Sequence, residues 1–372
     1  MTNPVEVKQN KPVKEPLVRV VKQVNVPTWK AWLIRLLGVV VALILNAVFI
    51  SATAKVNPFY AYQTMFTGAF GNKIYIWSTI NSAIKLLLIA VALAPAFKMK
   101  FWNIGAEGQV LFGLLMSAIV MNKCENLPAG VLFPLMFLAG SLGGALWGVI
   151  PAVFKAKWET NETLFTLMMN YIAIQLVSYT YNSWKGDHSS LGQLNKTTKA
   201  GWFPSIMGEK TFISVIVVFL FVILMYFYLS KTKQGYEIAV VGESHNTARY
   251  AGINVKAVMI RTMAISGFIC GMCGFLTLAG ESQTIGVNSA NGYGFTAIIV
   301  AWLAKFNTLY MTVISFLLIA LEKGIGLIAN RYDSFSDSAS QVAIGIVLFC
   351  VIGSEFFIRY RLAFRKKEEA NV

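Results

Sequence analysis

The chain has 372 residues, of which 56% are hydrophobic and only 13% charged, and it carries a net charge of +15. Soluble domains are about a quarter charged, so this composition excludes an ordinary soluble protein; the apolar residues are grouped into long runs, and the two-residue alternation of a membrane barrel is absent. The cations lie between the apolar runs rather than in one patch, which excludes a nucleic-acid partner and suits the cytoplasmic loops of a membrane protein.

Residues 1–29 are polar, with Pro4, Pro12, Pro16 and Pro27 and six cations by residue 30. They read as a basic cytoplasmic tail, disordered rather than an in-plane amphipathic helix, and not as a cleaved secretory signal. A bilayer core of about 30 Å takes ~20 apolar residues per helix. The spans expected on that length are 31–53, 75–96, 103–121, 129–154, 164–183, 212–230, 257–280, 293–304, 309–329 and 340–358. The fold class is therefore all-α, a polytopic membrane domain over 30–358 with about ten helices. The 293–304 run is too short to cross unaided and must borrow from its flanks or re-enter. With both termini in the cytoplasm, 21 cations fall inside and eight outside, as the positive-inside rule requires. Residues 359–372 form a second basic cytoplasmic tail. The polar loop 184–211 is then external. The loop 231–256 is cytoplasmic and reads as helix–turn–helix.

Several classes of chemistry are missing. There is no Gly-Lys dipeptide and hence no P-loop; there is no H-E-x-x-H and no G-x-S-x-G, so the chain is not expected to be an enzyme. The two histidines, His188 and His245, are assigned to opposite sides of the membrane. Cys270 and Cys273 have C-x-x-C spacing but neither a second pair nor a nearby histidine, so no metal site is expected.

The first positive signal is Phe101-Trp102-Asn103-Ile104-Gly105-Ala106-Glu107-Gly108-Gln109, a polar knot opening the third span. Ionisable groups at membrane depth are functional candidates. Two readings fit. Either Glu107 sits one turn inside the cytoplasmic edge and is hydrated, or the Gly105/Gly108 pair breaks a helix whose amide-rich N-terminus faces a transport path, with Glu107 touching solute or capping the freed N–H groups. Lys85 lies mid-span and is expected to face the interior or water. Gly267, Gly271, Gly274 and Gly280 are spaced for close helix packing. The Gly/Asn/Ser-rich segment 281–294 either lines the path or is an exposed loop.

The knot Asn-Ile-Gly-Ala-Glu-Gly-Gln resembles the hallmark of permease subunits of nucleoside-type ABC importers, within the larger family of ribose and branched-chain amino-acid permeases. The resemblance continues at Asn161-Glu162-Thr163, Leu167-Met168-Met169-Asn170-Tyr171, Val241-Gly242-Glu243, Ala248-Arg249-Tyr250-Ala251-Gly252-Ile253-Asn254-Val255 and Gly292-Tyr293-Gly294-Phe295. It covers about residues 75–330. The chain departs from the pattern at Ser244-His245, Thr247, Thr296 and Thr308.

The resemblance implies an ATP-driven importer of the bacterial plasma membrane in which this chain forms half of the path, the solute being a nucleoside, or else a simple sugar or riboflavin. It implies a second related permease, an ABC ATPase that binds the ATP (no cofactor being held here) and an extracytoplasmic substrate-binding lipoprotein. Asn103, Glu107, Gln109, Asn170 and Gln283 are assigned to the substrate pathway. Gly242, Glu243, Ala248, Arg249, Ala251 and Gly252, on one short amphipathic helix, are assigned to ATPase coupling. An ion-coupled secondary transporter is the rival class, with Glu107 its best argument.

Overall fold

The computed structural model describes residues 18–23, 26–332 and 334–364; most of both expected tails lies outside them. Helices dominate. Strand β1 (Val18–Lys22) is followed by α1 (Thr28–Ala54), α2 (Pro58–Phe70), α3 (Lys73–Lys98), α4 (Ala106–Lys123), α5 (Ala129–Trp158), α6 (Glu162–Lys185) and α7 (Phe212–Lys231). Then come α8 (Lys233–Glu243), α9 (His245–Tyr250), α10 (Val255–Thr277), a π turn (Leu278–Ser282), α11 (Tyr293–Leu303), α12 (Thr308–Arg331), α13 (Asp337–Arg359) and strand β2 (Tyr360–Phe364).

Every expected span falls on a helix. Among the described residues seven helices, α1, α3, α5, α7, α10 with its π turn, α12 and α13, are both long and apolar enough to cross a membrane. Helix α4 has 18 residues and starts three residues later than expected; α11 has 11, and its flanks are turns rather than further helix. Helix α2 was not anticipated.

The chain divides into two compact units. One comprises residues up to 65 and from 325 onward. In it α1 and α13 run antiparallel. Arg35 pairs with Glu355 at 2.7 Å, Asn46 Nδ2 donates to the Ala343 carbonyl at 3.1 Å, and Phe49 lies edge-on to Phe335. The same register continues into a ribbon in which Val18 pairs with Phe364 and Lys22 with Tyr360. This corrects the reading of residues 1–29 as disordered throughout, since residues 18–22 form a strand. It also adds a two-stranded exception to the all-α expectation.

The second unit spans 66–324. Asparagines start three of its helices: Asn72 Oδ1 caps α3, Asn161 Oδ1 caps α6 and Asn254 Oδ1 caps α10, each accepting from the amide three residues on, which satisfies one of the four free N–H groups of a helix start. At its centre α10 packs on α4 and α5 backbone to backbone. A Cβ at Gly271 would strike the Gly140 carbonyl and stand 2.9 Å from Gly144 Cα. Lipid offers no hydrophobic drive between helices, so close van der Waals packing through small residues holds such a contact. Gly267 and Gly274 meet backbone in the same way, whereas Gly280 faces only the side chains of Ser214 and Phe203.

Candidate functional site

Helix α3 ends at Lys98, and residues 101–105 run non-helically until Gly105 starts α4. Asn103, Glu107, Gln109 and Asn170 are between 0 and 5% exposed. Backbone outside a helix, at such burial, needs partners for every polar group. Side chains provide them. Asn103 Oδ1 accepts from the Gly105 amide at 3.0 Å, Thr166 Oγ1 from the Ile104 amide at 3.2 Å, and Asn170 Oδ1 from the Gly108 amide at 2.8 Å. Asn170 Nδ2 donates to the Ile104 carbonyl at 2.8 Å. The Asn103 and Gln109 amides donate to each other at 3.3 Å, and Asn103 Nδ2 also lies 3.4 Å from Ser266 Oγ on α10. Thr166 and Ser266 were not anticipated; the signal for Thr166 is its position one helical turn before Asn170.

Glu107 does something else. Its Oε1 accepts from the Gly292 amide at 2.9 Å and its Oε2 from the Gly294 amide at 2.7 Å. These are free N–H groups at the start of α11, whose own N-cap is Gly292, a residue with no side chain to offer. Two helix N-termini, each equivalent to roughly half a positive charge, therefore meet with one carboxylate between them. The hydrated boundary reading of Glu107 is overturned: the side chain is buried and doubly bonded. The capping reading is corrected in its target, which is α11 and not the helix that Glu107 itself opens. Trp102 stacks on Trp302 at 5.4 Å, and the eight residues from Gly294 to Trp302 rise about 12 Å. The non-helical segment and α11 thus run side by side, and the two N-termini meet about 12 Å in from the tryptophan pair.

A second charged group sits beside the α11 start. Lys85, 8% exposed, pairs with Glu281 at 2.8 Å and lies 5.7 Å from the Tyr293 ring, whose hydroxyl donates to Glu322 at 3.3 Å. Lys85 is thus turned inward, as its mid-span position demanded. Gln283 does not join the Asn103 cluster. Its side-chain oxygen accepts from Gln193 Nε2 at 3.1 Å and its carbonyl from the Leu194 amide at 2.8 Å, tying two loops together.

The 231–256 segment is helix–turn–helix, but residues 242–252 are not one helix. The chain breaks at Ser244, which caps the six-residue α9 through Thr247. The six residues assigned to coupling divide. Gly242 and Ala248 are buried, whereas Glu243, Arg249, Ala251 and Gly252 are exposed, together with Tyr250 at 93%. A Cβ at Gly242 would strike the Lys98 carbonyl and stand 3.2 Å from Met99 Cα, so α8 lies directly on the end of α3. Lys98 Nζ donates to the Leu229 carbonyl at 3.3 Å, and Glu237 pairs with Arg261 of α10 at 2.7 Å.

Residues 75–352 match the family described as the permease component of the branched-chain amino acid transport system. The chain belongs to this permease family. Members are permease components of ABC transporters and not enzymes, and the permease is a multi-pass protein of the cell membrane. It is 30% identical over 350 residues to a glucose ABC transporter permease protein of Haloferax volcanii, covering 91% of each chain. It is 29% identical to a guanosine ABC transporter permease protein of Bacillus subtilis, over 83% of this chain and 90% of the relative. A nucleoside ABC transporter permease protein of Lactococcus lactis is 27% identical, over 91% and 95%.

Proposed function

We propose that this permease forms half of the path of an ATP-driven importer for nucleosides, joined by a second related permease, an ABC ATPase and an extracytoplasmic binding lipoprotein. The observation that carries the coupling is the seat of α8. Gly242 rests on the Lys98 carbonyl, three residues before the non-helical segment that leads to Glu107 and the start of α11. Force applied to the exposed turn Arg249–Gly252 by an ATPase has a short, rigid route to that junction. Two of the relatives named above are nucleoside permeases by their names. The glucose permease relative supports a second reading, a simple sugar.

Ten crossings with both termini in the cytoplasm belong to the same proposal. Seven crossings, an odd number, would separate the termini, yet β1 pairs with β2. Adding α4, α6 and the short α11, the last crossing together with its flanking turns, makes ten and restores an even count. The test is uptake of guanosine by proteoliposomes holding the full transporter, with ATP present or withheld. Concentrative uptake by this chain alone, driven by an ion gradient, would replace the importer with the secondary transporter.

A further inference from the structure

Helix α6 differs from the other long helices in what it leaves uncovered. Helix α5 turns Val131, Leu135, Leu138, Leu142 and Leu146 outward, and α7 turns Ile216, Phe219, Leu220, Ile223, Leu224 and Phe227 outward. Those faces are uniformly apolar, as a lipid-facing surface must be. Helix α6 has 24 residues, enough to cross, but it falls outside the helices apolar enough to do so on composition. Buried Thr166 and Asn170 are part of the reason, and its exposed side supplies the rest. Tyr171, Gln175, Tyr179 and Asn182 are all exposed, the tyrosines at 59 and 76%. Their spacing of four, four and three places them in one stripe, about 16 Å long at 1.5 Å per residue. Polar side chains within spanning segments face a protein interior or a water-filled cavity rather than hydrocarbon. Next to the stripe the same helix presents Leu164, Met168 and Ile172 along an open, apolar groove.

We propose that the Tyr171–Asn182 stripe lines the water-filled path of the permease and contacts the solute, which the chemistry of the stripe identifies as a neutral molecule with a flat ring and hydrogen-bonding edges. Tyrosine rings accept a ring face, and the amides of Gln175 and Asn182 both donate and accept. No cation or carboxylate stands in the stripe, so a charged solute gains nothing there. This rests on the nucleoside-importer reading and names the residues that would meet the nucleoside.

The test places single cysteines at Gln175, Tyr179 and, as the lipid-facing control, Leu142, in the assembled transporter in native membranes with Cys124 and Cys350 replaced by Ala. The probe is a positively charged methanethiosulfonate. Gln175→Cys and Tyr179→Cys should react at least about ten-fold faster than Leu142→Cys, because the thiolate is the reacting species and apolar surroundings suppress it. Guanosine at saturating concentration should slow both. Gln175→Leu, a change that suits a lipid-facing helix better, should insert normally yet lose roughly five-fold in guanosine uptake at low solute, the factor one hydrogen bond carries. Reaction as slow as the control overturns the proposal. Fast reaction that guanosine leaves unchanged, or undiminished uptake by Gln175→Leu, also overturns it and makes the stripe a wet contact with the second permease. If uptake by the unmutated transporter needs no ATP, the importer reading fails while the labelling pattern still decides whether the stripe lines the path.

Discussion

Glu107 Oε2 accepts a hydrogen bond from the Gly294 amide at 2.7 Å, and the same glycine leaves no room for a side chain, since a Cβ there would stand 2.8 Å from Glu107 Cα. The contact brings the starts of α4 and α11 tip to tip, although 187 residues separate the two partners in sequence. Both sides of this contact, the acceptor and the missing side chain, have measurable consequences.

Removing the acceptor leaves the Gly292 and Gly294 amides without their bonds. An unsatisfied buried donor costs roughly 1–3 kcal/mol. Glu107→Ala should therefore lower the melting temperature of the detergent-purified permease and abolish uptake. Glu107→Gln retains one acceptor oxygen for two donors and should fall between Ala and the natural chain in both assays. An ion-coupled carboxylate would behave differently: Gln would be as inactive as Ala while melting normally.

Gly294→Ala should be destabilising by about 1–3 kcal/mol or more, the range of overpacked sites, because the obstructing atoms are backbone and cannot turn aside. Gly326→Ala is the matched control, since a Cβ there meets nothing within 4 Å and a helical Gly→Ala change gains up to about 1 kcal/mol. Equal melting of the two variants would remove the close approach from the account.

The coupling residues should separate by assay. Gly242→Val unseats α8 from the Lys98 carbonyl and should lower the stability of the permease even without an ATPase. Ala251→Trp changes an exposed position with ordinary backbone (φ −79°); the permease should melt normally and lose co-purification with its ATPase. Full ATPase binding by Ala251→Trp would exclude the Arg249–Gly252 turn from the docking surface.

The ribbon makes the termini testable. Val21 and Arg361 are paired residues of β1 and β2, and antiparallel partners lie about 4.5–5.5 Å apart between Cα atoms, within disulfide range. Val21→Cys with Arg361→Cys should cross-link within one chain on mild oxidation. In intact cells an impermeant thiol reagent should leave Asn246→Cys untouched and modify Ser190→Cys. The reverse labelling would invert the topology.

The sequence by itself determined what is local. A run of apolar residues makes a helix wherever the chain later goes, so the expected spans fall on helices, and seven helices among the described residues are long and apolar enough to cross a membrane. The asparagine caps act within three residues and the small-residue spacing of α10 within a turn or two; the polar knot at 103–109 marks a helix start at Ala106, and the helix break expected at the Gly105/Gly108 pair is not there, because α4 runs on through Gly108. The inward turn of Lys85 followed from the cost of a bare charge in hydrocarbon. Tertiary structure decided the pairings. Many helices offer equivalent apolar faces, and nothing in the 103–109 segment says which of several helix starts Glu107 will reach. Nor could spacing tell that Gly242 and Ala248 turn inward while Arg249 and Ala251 turn out, because the break at Ser244 resets the helical phase between α8 and α9. The pairing of residues 18–22 with 360–364 is of the same kind: VRVVK and YRLAF carry strand-favouring Val, Tyr and Phe, but which segment each would pair with was set only because α1 and α13 deliver their ends to the same place, where free backbone groups pair with each other.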